Sequence, residues 1–195
     1  MGKLTQLDLC SGVGGGFPLA GAYLNFDLIG VAETDDYCSS ILSKRYPGVP
    51  NYGDVKEFAV TGGIGTERVD VISASPPCPP FSIQGKRLGA DDERDCFPAV
   101  LNIITKIRPS FAAIENVPGL LSCRYRPGSE RMYCNYICDR LAAAGYRLEA
   151  TLVSSGHFGS PFNRQRLLLV AISDGVEFKS EPTPWAKQIR EFLEG

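Results

Sequence analysis

Histidine is almost missing from this chain: His157 stands alone among 195 residues. A metal centre built on Cys123, Cys134 and Cys138 would need a further ligand at the right spacing, and His157 has no partner there. Long apolar runs are also absent, so no segment reads as a membrane crossing. The start, MGKLTQLDLC, has the pattern of a strand, not the basic head and apolar core of a secretion signal. Nor is there an excess of one charge. Lys and Arg number 20 against 22 Asp and Glu, for a net charge of −2, which excludes nucleic-acid binding by bulk attraction and confines any such contact to a local patch. The 7 cysteines are scattered and odd in number, a usage that suits a reducing compartment better than a disulfide framework. An intracellular protein is expected.

What is present reads as an α/β domain. At 44% hydrophobic and 22% charged residues, the chain can build one sizeable core. Apolar runs of strand length occur at 4–10, 26–32, 69–74, 110–114, 146–154 and 166–173, with a short extended piece near 52–55. Helical patterns alternate with them. One helix is expected from an Asp95 N-cap through Phe97, Val100, Leu101, Ile104 and Ile107, which share a face. Another should start near Ser129 and end at Gly145, a third should follow Asp35, and Trp185, Ile189, Phe192 and Leu193 mark a last amphipathic piece. No internal repeat or low-complexity segment interrupts the pattern.

In a sheet of this kind ligands bind beyond the carboxyl ends of the strands, and the loops richest in glycine and proline lie there. The first is DLCSGVGGGFPLAG from Asp8 to Gly21, whose glycines let backbone approach a ligand. Glu33 follows the next strand, placed for ribose hydroxyls. Asp54 in NYGDVKEF could accept from an exocyclic amine. Together the three loops suggest an adenosine site. The next strand end carries SASPPCPPFS, where Pro76, Pro77, Pro79 and Pro80 stiffen the frame of Cys78. A nucleophile gains from such positioning, whereas a buried structural cysteine does not need it. Glu115 and Asn116 end a further strand, and Arg164 and Arg166 share one face of a late extended segment.

The order DLCSGVGGGF, ETDD, GDV, PPCPPFS, IENV and RQR resembles the DNA cytosine-5 methyltransferases from Asp8 to Ala171. The resemblance implies a Rossmann-like S-adenosylmethionine-dependent methyltransferase fold: a mostly parallel seven-stranded sheet with helices on both faces. It implies transfer of a methyl group from S-adenosylmethionine to carbon 5 of cytosine in double-stranded DNA. Cys78 would add to the sixth carbon of the ring. Glu115 would donate to the ring nitrogen and hold the exocyclic amine, Arg166 would bind the carbonyl oxygen, and Arg164 would favour the thiolate. A free thiol is only a few per cent ionised at neutral pH. Cofactor contacts are expected from Asp8, Cys10, Ser11, Gly12, Gly14, Gly15, Glu33, Thr34, Asp54, Val55 and Pro77. Substrate contacts are expected from Ser82, Lys86, Arg87, Arg94 and Asn116, around a base flipped out of the duplex.

Three positions depart from the family pattern. Cys10 stands where a phenylalanine usually meets the adenine, Pro79 replaces a polar residue beside the nucleophile, and Phe162 replaces a glutamine ahead of the arginines. The catalytic core is expected over 1–175, with 176–195 leading toward a target-recognition region. The family's GNS signature does not occur. That difference predicts an uncovered apolar flank and a second polypeptide carrying the recognition and closing motifs, as in a split enzyme or a chain cut before that region. Two alternatives stay open: a non-catalytic cofactor-binding regulator, and a transfer RNA cytosine-5 methyltransferase.

Overall fold

The structure, a computed structural model, describes residues 2–61, 68–81 and 87–177. Its framework is a sheet of six strands: β1 (Thr5–Leu9), β2 (Asp27–Ala32), β3 (Val71–Ala74), β4 (Phe111–Asn116), β5 (Tyr146–Ser154) and β6 (Gln165–Ser173). The order is β2-β1-β3-β4-β6-β5. β1 pairs in parallel with β2 and β3, and β3 with β4. β6 runs antiparallel to both neighbours, in register Glu115↔Leu168 with β4 and Ser154↔Gln165 with β5. Among the described residues the seventh strand is reduced to one bridge, Val31↔Asn51. Gly53 turns left-handed (φ 71) and a helix begins at Val55, so the piece near Tyr52 is too short to pair as a strand.

Among the described residues five helices cover this sheet: α1 (Phe17–Tyr23), α2 (Asp36–Arg45), α3 (Val55–Thr61), α4 (Phe97–Ile107) and α5 (Tyr133–Ala143). Alternation along β1 assigns them to two faces. Gln6 and Asp8 point toward α1, and a Cβ on Gly21 of that helix would lie 1.8 Å from Gln6 Oε1. Leu7 and Leu9 point the other way, into an apolar core shared with Phe58, Phe97, Leu101, Ile104, Ile137 and Leu141 from α3, α4 and α5. Asp35 caps α2, accepting from Cys38 N at 2.8 Å. Asp95 accepts from Phe97 N at 3.0 Å but sits one residue ahead of the N-cap, Cys96. α5 starts at Tyr133, later than expected, because Ser129 accepts from Arg131 N in a turn of its own. The last amphipathic piece lies outside the described residues.

Of the three cysteines weighed as ligands, Cys123 is buried, Cys134 half-buried and Cys138 exposed. Packing in the apolar core therefore fits only Cys123. Tyr133, Ile137 and Leu141 form the buried stripe of α5, and Cys138 falls outside it. His157 closes a capping box, its Nδ1 accepting from Ser154 N at 3.4 Å.

Asp8 is the unusual charge in this fold. It is buried at the centre of the sheet, where Ser73 Oγ donates to its carboxylate and Gln6 Nε2 donates to Ser73 Oγ at 2.8 Å. Burial pushes its carboxyl up to about 7, against the hydrogen bonds from Ser73 and Ser11. The folded state therefore holds this proton more tightly than the unfolded chain. Its contribution to stability is complete below about pH 4 and is lost as pH rises through about 7. Asp8→Asn removes the titration. The difference in urea midpoint between variant and parent should grow in the variant's favour from pH 5 to pH 8, and a difference independent of pH would refute the assignment.

Candidate active site

Two depressions meet at the carboxyl ends of the parallel strands. The first, about 230 Å³, is lined by Cys10, Ala32, Glu33, Thr34, Gly53, Asp54, Val55, Lys56, Pro77, Arg94 and Cys96. Glu33 organises it. Its Oε2 accepts from Gly12 N at 2.7 Å, and its Oε1 accepts from Thr34 N and Asp35 N at 2.9 Å each. Three backbone donors hold the carboxylate in place, and a carboxylate has about four acceptor sites, so one remains for a ligand hydroxyl. Asp54, also in the lining, accepts from Lys56 N through its Oδ1 at 2.7 Å. Acidic acceptors on one side, with Ala32, Val55 and Pro77 as an apolar wall, suit a nucleoside bearing a cationic tail. These residues fit S-adenosylmethionine.

Several expected cofactor residues act from behind the cleft. Asp8 is buried beneath the loop, and Ser11 Oγ donates to its carbonyl at 3.0 Å. Gly14 faces α2: a Cβ there would lie 2.6 Å from the Tyr46 ring, whose hydroxyl donates to Gly14 O at 2.7 Å. Gly15 is exposed beside Arg45. Gly12 (φ 54) presents its amide to Glu33. The loop after β1 thus shapes the cleft through its backbone, while Glu33, Thr34, Asp54 and Val55 line it directly.

The second depression is lined by Ser75, Pro76, Pro77, Cys78, Glu115, Asn116, Val117, Arg164 and Arg166. Pro77 belongs to both, so the two share a wall. Cys78 is half-buried, on a turn closed by Phe81 N donating to Cys78 O at 2.9 Å. Phe81 is fully buried against Phe97 and Tyr133, with ring centroids at 5.3 and 4.6 Å. That aromatic anchor fastens the far end of the thiol loop. Tyr133 is held in turn by its hydroxyl, which donates to Asp95. Across the pocket Arg166 Nε meets Glu115 Oε1 at 2.5 Å. Arg164 stands exposed at the mouth.

Three residues expected at the substrate make contacts within the protein. Asn116 is buried, its Nδ2 donating to Pro76 O at 3.1 Å and its Oδ1 accepting from Val117 N at 2.9 Å. Neighbours along a strand face opposite ways, so with Glu115 turned to the pocket, Asn116 braces the thiol loop from inside. Arg87 commits its Nη2 to Gly119 O at 3.2 Å and Ser122 Oγ at 2.9 Å. It ties the segment behind the thiol loop to the turn Pro118–Ser122. Arg94 lines the first depression, and its guanidinium holds the Asp92 carboxyl down at about 2. Ser82 and Lys86 lie outside the described residues. The sequence reading missed Lys56 and Cys96 on the cleft wall. Lys56 adjoins Val55 in the same loop and was within reach of the motif. Cys96 had no signal, because it arrives from the N-terminus of α4.

The family of C-5 cytosine-specific DNA methylases matches residues 4–192. This chain belongs to that family. The chain is 32% identical to the type II methyltransferase M.NgoMIV of Neisseria gonorrhoeae, over 95% of its own length and 57% of that protein. It is 34% identical to M.NaeI of Lentzea aerocolonigenes, over 89% of this chain and 41% of that one. The chain thus spans about half the length of these relatives. In fold it is similar to the S. pombe Dnmt2 methyltransferase, with a TM-score of 0.69 at 23% identity over 99% of this chain and 56% of that one. The methyl donor of the family is S-adenosylmethionine.

The carboxylate of Glu33 gives a direct test of the first depression as a site for S-adenosylmethionine. Glu33→Gln keeps the shape but turns an amide N–H toward one or more of three backbone donors. Losing hydrogen bonds to a charged acceptor is worth about 1.5–3 kcal/mol, so affinity for S-adenosylhomocysteine should fall roughly 10- to 100-fold by calorimetry. An unchanged Kd would remove Glu33 from the cofactor site.

Proposed function

We propose that this chain carries the methyl-transfer centre of a DNA cytosine-5 methyltransferase acting through a covalent cysteine adduct. The observation that supports the reading is the shared wall: Pro77 lines both the cleft of Glu33 and Asp54 and the pocket of Cys78, Glu115 and Arg166. A planar ring seated on Cys78 would lie next to a donor held by Glu33. S-adenosylmethionine, when bound, supplies an electrophilic methyl group.

The fifth carbon of cytosine is a weak nucleophile, and the residues of the pocket answer that difficulty. Cys78 sulfur adds to the sixth carbon, and Glu115 places a proton on the ring nitrogen, so that electron density moves to the fifth carbon. After methylation, the proton on the fifth carbon leaves to solvent as the Cys78 sulfur departs as thiolate, and the ring nitrogen returns its proton to Glu115, which restores the ring. Arg166 orients the Glu115 carboxyl through their ion pair and keeps donors free for the carbonyl oxygen of the base. Arg164 adds positive charge at the mouth. The proline frame and the Asn116 bond to Pro76 hold the thiol before substrate arrives, which is the condition for positioning to lower a barrier.

Target reading is assigned to a second polypeptide or to a continuation of the chain, in keeping with the relatives' greater length. An apolar groove of about 420 Å³ lined by Phe17, Ala20, Leu168, Glu115 and Arg164 offers that part a contact beside the pocket. The test is trapping on duplex DNA containing 5-fluorocytosine, in which the proton that must leave is replaced. With S-adenosylmethionine, and with the polypeptide encoded alongside when the chain alone is inert, a Cys78-dependent adduct should accumulate. An intact mass without adduct in both settings would favour a cofactor-binding regulator.

A further inference from the structure

The donor cleft carries two thiols that methyl transfer does not use. Cys10 closes β1 in the left-handed region (φ 56), and Cys96 caps α4. Far apart in sequence, they line the same cleft with Glu33, Asp54 and Lys56. Both pack against the apolar core, so neither sulfur swings freely. The Cys10 and Cys96 side chains interact on that wall, and the Cys96 sulfur lies 3.5 Å from Arg94 O.

The two are chemically unequal. The interaction with Cys10, and after it the charge of Lys56, hold the Cys96 thiol below its ordinary range, against burial and the carboxylates of Asp95 and Asp54. The same interaction and burial push the Cys10 thiol up, with Glu33 and Asp8 adding to the shift. One sulfur is prepared to attack and its neighbour to resolve, which is the division of labour in thiol–disulfide exchange.

We propose that Cys10 and Cys96 form a dithiol modification site that takes low-molecular-weight disulfides and closes to a reversible Cys10–Cys96 bond, shutting the donor cleft. The Cys96 thiolate attacks one sulfur of the disulfide RSSR. A mixed disulfide forms, and the released thiolate takes up the proton that Cys96 lost. Cys10 then gives up its proton and attacks the Cys96 sulfur, releasing the second RSH. Two protein thiols are oxidised to one disulfide while RSSR is reduced to two RSH. The bond would tie the end of β1 to the start of α4 on the wall of the cleft in which a nucleoside would lie. Closure of the bond is independent of the reading of the cleft as a donor site, on which only the effect on cofactor binding rests.

The chain is exposed to glutathione disulfide, quenched with N-ethylmaleimide and mapped by mass spectrometry, with S-adenosylhomocysteine affinity measured before and after. The expected result is a linked Cys10–Cys96 peptide, cleaved by dithiothreitol and absent from Cys10→Ser and Cys96→Ser, with affinity at least tenfold lower in the linked form. Glutathione left on Cys96 without closure, or linkage of either residue to Cys78 instead, would overturn the proposal. Linkage without loss of affinity would overturn the shutting of the cleft. Failure of the reduced chain to bind S-adenosylhomocysteine would count against the proposed function, and the peptide map would still decide the disulfide.

Discussion

Cys78→Ser should abolish methyl transfer, by about four orders of magnitude or more, while leaving the fold intact. The expected size follows from nucleophiles that form covalent intermediates, whose removal costs a reaction most of its acceleration. A serine hydroxyl fits the same frame but is far less ionised and less nucleophilic than a thiol. Nothing else in the loop changes: Pro76 O still accepts from Asn116 and Phe81 stays in the aromatic cluster. Because Cys78 is half-buried and, among the described residues, its side chain holds no bond that the loop depends on, stability should shift by no more than about 0.5–1 kcal/mol. Incorporation of labelled methyl into DNA, read with thermal unfolding of the same preparation, separates the two effects. Activity within tenfold of the parent would eliminate Cys78 as the nucleophile, and a large drop in melting temperature would make it a structural residue.

Glu115→Gln comes next in size. The amide is isosteric but can neither place a proton on a ring nitrogen nor accept as a carboxylate from the Arg166 guanidinium. General acid–base catalysis by a positioned side chain contributes typically about 10²- to 10⁴-fold, and a loss in that range is expected in kcat. The ion pair with Arg166 is 29% and 26% exposed at its two ends. Solvent-screened pairs of this kind are worth about 0–1 kcal/mol, so the fold should barely register the change. Cofactor affinity should also be unchanged, since Glu115 lines the thiol pocket and not the cleft of Glu33. A variant that loses S-adenosylhomocysteine binding in step with activity would contradict this division of the site.

Much of this was legible before any coordinates. The parallel strands were readable because strands buried on both faces are continuous apolar runs, and β5, an antiparallel edge strand, was also placed to the residue. The register of motifs with strand ends was readable because glycines, prolines and acids break those runs. The boundary of α5 was missed, since Ser129 resembles an N-cap but serves a local turn. The seventh strand was overcounted where left-handed backbone at Gly53 cuts an extended piece to a single bridge. At the site, Cys78 and Glu115 could be named from their loops, whereas the inward turn of Asn116 and the tie of Arg87 to Gly119 depend on which side each chain segment approaches.

The amino-acid sequence by itself determined the alternation of strand and helix, the rigidity around Cys78 and the succession of chemical groups along the edge of the sheet. These are local properties: periodicity, backbone restriction by proline, freedom at glycine. Tertiary structure alone decided which groups meet. It set Arg166 against Glu115, gave Pro77 to both depressions, moved Arg94 to the cleft of Glu33 and brought Cys96 to the same cleft as Cys10. Such meetings are fixed by crossover connections and by the packing of α4 on the sheet, which join residues too distant in the chain for any local pattern to record.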